Sequence, residues 1–259
     1  MSIPVTEQVL PVPYLPAALR GLRVAHLTDL HRCYLTPDPL LHEAVHRTVQ
    51  LCPDLIVLTG DFVYRAPTDI EPCAEILSPL RADLGVYAIL GNHDYDAGAA
   101  AVVSALQRIG FQLLINRRAY LAPGLWIAGV DDDRAGRPDP AAAFDGVGTE
   151  EPVLTLIHNP RLVRRLPNRP MIALAGHTHG GQVILPWVTA WKLRQIGAEC
   201  FRAGWYTVGN IRMYVNRGIG NAGVPFRLGA PPEIALFVLK PAPMPYPAGW
   251  NGDALICTR

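Results

Sequence analysis

Half of the 259 residues are apolar, enough to bury a full hydrophobic core as one large domain or two small ones. A formal net charge of +1 provides no overall field for recruiting nucleic acid or an anionic bilayer, so no specific nucleic-acid surface is expected. The longest apolar runs, such as Leu55-Ile56-Val57-Leu58, fall far short of the roughly 18 residues of a membrane-spanning helix.

Five cysteines, an odd number with no CxxC spacing, fit reduced thiols better than a disulfide framework. The opening sixteen residues have no basic head and no unbroken apolar run, so they do not read as a secretory signal. The expected address is the cytoplasm. Only two of the 23 basic residues are lysine, Lys192 and Lys240, a bias broad enough to be compositional and to carry no function.

In chain order, Leu22–Leu27 is an apolar run that stops at Thr28-Asp29-Leu30-His31. A helix is predicted from Asp38, with Asp38 as cap, Pro39 in its first turn and Leu41, Ala44, Val45, Thr48 and Val49 on its buried face. The run 54–59 reads as a strand closing at Gly60-Asp61, 70–82 as a helix, and 85–90 as a strand closing at Gly91-Asn92-His93-Asp94; a helix over 97–109 ends this half. Further strands are predicted at 112–116, 125–130, 153–158, 171–175, 211–215 and 233–239. Alternating strands and helices with continuous apolar strands imply a largely parallel sheet covered by helices. Residues 1–240 read as a single domain and 241–259 as a Pro-rich tail, expected to form a surface strap or to stay partly disordered.

Five of these strands end in residues able to bind metal: Asp29 and His31, then Asp61, then Asn92 and His93, then His158, then His177 and His179. In an open α/β sheet, ligands sit beyond the carboxyl ends of the strands. Alternate residues of an extended segment point the same way, so Asp29 with His31, and His177 with His179, would reach one ion. Glycine before Asp61, Asn92 and His177 would let the backbone turn sharply and approach the ion closely. Carboxylates, imidazoles and one amide, with no thiolate, suit Mn²⁺, Fe²⁺ or Zn²⁺ and not a structural zinc site. The set is too large for one tetrahedral ion but fits two ions that share a carboxylate about 3.5–4 Å apart, the pair used in phosphoryl transfer.

Asp29-x-His31, Gly60-Asp61, Gly91-Asn92-His93-Asp94, His158 and Gly176-His177-Thr178-His179, in this order, resemble the calcineurin-like metallophosphoesterase superfamily. Gly180-Gly181-Gln182-Val183, Asn216-Arg217-Gly218-Ile219-Gly220 and Pro232-Glu233-Ile234 further resemble a bacterial phosphodiesterase branch that is often membrane-associated. The resemblance implies an α/β four-layer sandwich, two facing mixed β-sheets flanked by helices. It implies that Asp29, His31, Asp61 and His179 hold one divalent ion and Asp61, Asn92, His158 and His177 the other, Mn²⁺ being the first expectation. A metal-bridging hydroxide would then attack phosphorus in line. His93 would act as acid or hydrogen-bond donor to the leaving oxygen, and Asp94 would orient His93. The implied activity is a metal-dependent phosphodiesterase acting on a small phosphoester or pyrophosphate. The alternatives are a UDP-diacylglucosamine-type pyrophosphatase acting on a lipid-linked substrate and a non-catalytic metal-binding scaffold.

His42-Glu43-Ala44-Val45-His46 matches the HExxH zinc-protease signature. Both histidines, however, fall about 90–130° from the centre of the buried stripe, and no third histidine follows at metzincin spacing. Coincidence is the expected reading. Arg217 and Arg227 flank a glycine-rich loop and are candidates for gripping substrate phosphate oxygens, weighed evenly against a surface salt bridge. Cys33 is expected to be a buried or half-buried thiol, with an approach to the metals as the competing reading, His26 to be packed or on the surface, and Asp131-Asp132-Asp133 to be a solvated acidic loop. The apolar stretch 185–191 is expected to pack on the body, with a substrate cap or a membrane foot as the competing readings.

Overall fold

The computed structural model describes residues 3–121, 124–198 and 200–243 and a short strand at 255–256. The first half runs β1 (Val5–Val12), β2 (Arg23–Leu27), α1 (Asp38–Gln50), β3 (Leu55–Leu58), α2 (Ile70–Leu77), β4 (Val86–Ala88), α3 (Asn92–Ala97), α4 (Ala99–Arg108) and β5 (Gln112–Leu113). The second runs β6 (Arg117–Leu121), β7 (Leu125–Gly129), α5 (Pro140–Phe144), β8 (Val153–Leu156), β9 (Met171–Ala175), α6 (Pro186–Gln195), β10 (Gly204–Val208), β11 (Ile211–Val215), β12 (Ile234–Pro241) and β13 (Leu255–Ile256).

The strands form two sheets, a six-stranded one ordered β1-β12-β2-β3-β4-β5 and a seven-stranded one ordered β13-β10-β11-β9-β8-β7-β6. Both are mixed: β2 through β5 run parallel, as do β7, β8, β9 and β11, whereas β12–β2, β6–β7 and β10–β11 are antiparallel. The continuous apolar strands follow from burial on both faces. Leu55 and Val57 point into the shared core between the sheets, against Leu154, Leu156, Ile172 and Leu174. Ile56 and Leu58 point outward under Leu41, Ala44, Val45 and the residues of α2 and α4. Beyond the second sheet, Ala173, Met213 and Val215 pack with Ala143, Phe144, Leu162 and Val163. Helices therefore cover both outer faces, and the architecture is the four-layer sandwich expected. The parallel strands of both sheets deliver their following loops to one edge.

Several details differ from the sequence reading. α1 is preceded by Pro37 as its cap; Asp38 is its first residue and its carboxylate pairs with Arg32 at 3.2 Å. Val49 lies outside the buried stripe, which consists of Leu41, Ala44, Val45 and Thr48. α2 stops at Leu77, two residues before Pro79, which lacks the N–H a longer helix would need. The edge strand β1 pairs in register with β12 over eight residues. Its Pro11 hides it from pattern reading, but an edge tolerates a residue without a donor. β12 runs one residue into the predicted tail, β13 adds beside β10, and the rest of the tail beyond 243 lies outside the described residues.

Candidate metal centre

The loops after β2, β3, β4, β8 and β9 bring their predicted ligands together at one edge of the sandwich. His31 Nε2 lies 2.9 Å from His179 Nε2, 3.3 Å from Asp61 Oδ2 and 3.7 Å from Asp29 Oδ1, and His179 Nε2 lies 3.4 Å from the same Asp29 oxygen. On the other side of Asp61, His158 Nε2 sits 3.2 Å from Asp61 Oδ2 and 3.0 Å from His177 Nδ1. Asp61 thus joins two clusters, Asp29–His31–His179 and His158–His177, all of them buried. Asn92, at the head of α3, is also buried, and its Oδ1 has no hydrogen-bond partner among the described residues.

This donor chemistry fits a pair of divalent ions. Two imidazole pairs face each other nitrogen to nitrogen beside two carboxylates, and the one buried amide oxygen is unsatisfied; such convergent lone pairs need a cation between them. Burial and the neighbouring imidazoles push His177 and His179 well below the ordinary histidine range, which keeps both neutral and able to ligate. Burial alone would raise the Asp61 carboxyl, but His158 and His31 outweigh it and hold the group well below the usual carboxylate range. His158 shows the reverse balance: burial opposes its protonation, and Asp61 raises it well above the ordinary value. His158 Nδ1 lies 2.7 Å from the carbonyl of Thr59, an acceptor that fixes Nδ1 as the protonated nitrogen and frees Nε2 for a metal.

The backbone achieves this convergence differently from expectation. Asp29 (φ 52°), His31 (φ 44°), Asp61 (φ 56°), His177 (φ 69°) and His179 (φ 52°) all occupy the left-handed region. They are not alternating residues of extended strands; each loop turns sharply at the ligand itself. Each such residue costs of order 1–3 kcal/mol, offset by the surrounding fold. Glycines at 91 and 176 are needed for contact between ligand loops more than for access to an ion. A Cβ on Gly91 would lie 2.2 Å from Asp61 Oδ1, and one on Gly176 would lie 2.4 Å from Asp29 Oδ2.

His93 lies beside this centre, its ring 5.1 Å from that of His31 and its N–H donating to Asp61 Oδ1 at 2.9 Å. Burial lowers its pKa. The expected contact with Asp94 is not made. Asp94 is fully buried and accepts from the N–H groups of Asp61 (2.8 Å), Phe62 (2.8 Å), Val63 (3.3 Å) and Gly91 (2.9 Å). It buttresses the Asp61 loop and caps α3, while the carboxylate facing His93 is Asp96, 3.3 Å from Nδ1. Burial and the adjacent Asp61 push Asp94 up to about 8, against the pull of its backbone donors. The G-x-x-D spacing of Gly91 and Asp94 carried this signal, as half of a helix capping box.

Arg217 and Arg227 are largely occupied within the protein. Arg217 Nε donates to the buried Glu233 at 3.1 Å. Arg227 donates to the carbonyls of Arg217 and Ala230 and to that of Gly220, and its Nη2 lies 3.2 Å from His179 Nδ1. Two arginines that sequence reading missed, Arg65 and Arg134, instead line a cleft of about 220 Å³ with Asn92, His93 and Asp96. Neither follows a recognisable motif, so only the folded loops reveal them.

Asp131, Asp132 and Asp133 correct another expectation. The loop is not solvated: Asp131 and Asp132 are buried, and their carboxylates accept N–H groups of Asp132, Arg134, Ala135 and Arg137, while Tyr95 donates to Asp131 and Arg161 to Asp133. Cys33 and His26 are packed, as expected, with His26 Nε2 2.8 Å from Thr59 Oγ1. His42 and His46 are exposed and belong to no ligand cluster among the described residues. The stretch 185–191 is a further correction. It forms most of α6, and Trp187 and Trp191 are 88% and 63% exposed, so it does not pack flat on the body.

The sequence of residues 22–181 matches the calcineurin-like phosphoesterase family model. The chain belongs to this family. It is 30% identical to the UDP-2,3-diacylglucosamine pyrophosphatase LpxG of Chlamydia trachomatis, over 85% of this chain and 84% of the relative. It is 32% identical to the metallophosphoesterase YkuE of Bacillus subtilis, over 92% and 86%. A transmembrane protein with a metallophosphoesterase domain from Danio rerio is 31% identical over 92% of this chain, which spans 57% of that protein. Among solved structures, the sulfate thiohydrolase SoxB of Thermus thermophilus superposes with a TM-score of 0.51 at 12% identity, covering 87% of this chain and 57% of that one, a likeness of fold. As a calcineurin-like phosphoesterase, the chain is a metal-dependent phosphoric ester hydrolase. No helix among its described residues is long and apolar enough to cross a membrane.

Proposed function

We propose that this phosphoesterase hydrolyses a phosphodiester or a pyrophosphate, using two divalent ions of which Mn²⁺ is the best match to the donors. The observation that carries the reading is the buried acceptor cluster centred on Asp61, opening beside His93 onto a cleft lined by Arg65 and Arg134. Asp29, His31, Asp61 and His179 would hold one ion, and Asp61, Asn92, His158 and His177 the other. The ions, when bound, supply an acidified water as nucleophile and neutralise charge on phosphorus.

The protein's own groups set the rest. Asp61 keeps its carboxylate ionised between the two clusters, and Thr59 fixes the tautomer of His158. His93, whose pKa is lowered by burial, lines the cleft beside the cluster and would act as acid or hydrogen-bond donor to the leaving oxygen. Arg65 and Arg134 would grip the non-reacting oxygens or a second phosphoryl group, as a pyrophosphate offers.

A second reading is cleavage of a UDP-diacylglucosamine-type substrate at its pyrophosphate. The name of the Chlamydia relative and the exposed indoles of α6 favour it. Chelator-stripped protein assayed with Mn²⁺ against p-nitrophenyl phosphate, bis(p-nitrophenyl) phosphate and acylated and deacylated UDP-glucosamine tests both. Faster turnover of the diester than the monoester supports the first reading. Acylated substrate turning over no faster than its deacylated form removes the second.

A further inference from the structure

A concentrated apolar surface lies outside the metal centre. On α6, Thr189 and Leu193 are buried and anchor the helix, leaving Trp187, Val188 and Trp191 on its open side, with Trp187 88% exposed. A second loop, 224–229, is hydrogen-bonded to the segment entering α6. Ile184 N–H donates to the Leu228 carbonyl at 2.8 Å, and Gln182 Nε2 donates to the Phe226 carbonyl at 3.2 Å. Phe226 and Leu228, each more than half exposed, therefore stand beside the indoles. Water-facing side chains of this size, clustered and not scattered, mark a surface that meets a partner.

Charge indicates which partner. The charged residues of α6 are Lys192 and Arg194, with no acid between 186 and 195, and the exposed Arg202 follows. Arg212 is buried and Arg217 and Arg227 are held within the protein, so the cations this face offers are Lys192, Arg194 and Arg202. Tryptophan flanked by basic side chains suits the boundary between lipid headgroups and acyl chains, where the indole is half wet and the cations meet phosphate. A second copy of the chain fits poorly, because a two-fold contact would set the same cations against each other.

We propose that α6 and the 224–229 loop form a docking foot for an anionic phospholipid bilayer. The foot is continuous with the metal centre, since Arg227 on this loop contacts His179 and α6 begins seven residues after His179. Docking there would hold the centre close to the headgroup layer, whatever the substrate.

The test is co-sedimentation of the full chain with vesicles of phosphatidylglycerol and phosphatidylcholine, against phosphatidylcholine alone. The readout is binding and does not depend on hydrolysis, so its failure is separable from failure of the enzymatic reading. The expected result is binding to the anionic vesicles that weakens with salt and falls about tenfold or more in Trp187→Ser/Trp191→Ser. Lys192→Gln/Arg194→Gln should lose the preference for anionic lipid. Circular dichroism of these surface variants should match the parent. No sedimentation with either vesicle, equal binding to both, undiminished binding of the tryptophan variant, or a dimer in light scattering that Trp187→Ser dissolves would each overturn the proposal.

Discussion

The Asp94 carboxylate accepts the backbone N–H of Asp61 at 2.8 Å, and the same Asp94 also accepts from Phe62, Val63 and Gly91. The residue that joins the two ligand clusters is thus held in its left-handed conformation by a buried carboxyl group on the neighbouring loop. Asn in this place offers one acceptor oxygen and turns an amide donor toward backbone donors. Asp94→Asn should therefore cost about 1–3 kcal/mol in stability and weaken metal binding by about 10–100-fold. Urea unfolding and Mn²⁺ titration would measure the two effects; unchanged metal affinity would mean that Asp61 needs no buttress.

His93 donates its backbone N–H to Asp61 Oδ1, and its ring stands within 4.8 Å of His31 and Asp61 without belonging to the seven expected ligands. His93→Ala should bind metal like the parent and slow turnover by about 10²–10⁴. Loss of bound metal in this variant would make His93 a ligand and not a donor to the leaving oxygen.

His42→Ala should change neither metal content nor turnover. Both histidines of the HExxH match stand in solvent on α1, away from the cluster. Metal lost from this variant, measured by elemental analysis, would revive the zinc-protease reading.

His26 predicts a pH effect of known sign. Burial lowers its pKa from 6.5 to about 3, so the folded state keeps it neutral while the unfolded chain takes up a proton as pH falls below 6.5. Its contribution is fully present above 6.5 and is lost progressively from 6.5 toward 3. Between pH 7 and pH 5 the parent should lose about 2 kcal/mol more stability than His26→Gln, which keeps a donor for Thr59 and does not titrate. Equal losses in denaturant titrations of the two proteins would refute this.

The parallel strands, and the seven candidate ligands that the fold gathers at one edge, were readable from the sequence because apolar runs end abruptly in metal-competent residues. The reason those residues converge was not readable. Alternation along a strand was the natural mechanism, but Asp29, His31, His177 and His179 each turn the chain with positive φ, a conformation that non-glycine residues adopt only under tertiary constraint. The expectation that Asp94 orients His93 failed because three of its partners are backbone N–H groups on the Asp61 loop that leave no trace in spacing; only the local Gly91 contact had a sequence signal. Arg65 and Arg134 were missed because ordinary loop residues meet at His93 only after folding, and Asp96 because the short helix α3 that sets it beside His93 was not predicted. Asp131–Asp133 were misread because a run of acids looks solvated until the N–H groups that fold around it are seen.

The most direct test of the dinuclear centre is a Mn²⁺ titration of chelator-stripped protein that follows bis(p-nitrophenyl) phosphate hydrolysis and bound metal together, with Asp61→Asn alongside. Turnover should rise from none to a plateau at two ions per chain, and Asp61→Asn should bind both ions weakly and stay inactive. Turnover without added metal, a plateau at one ion, or an active Asp61→Asn would contradict a centre of two ions joined through Asp61.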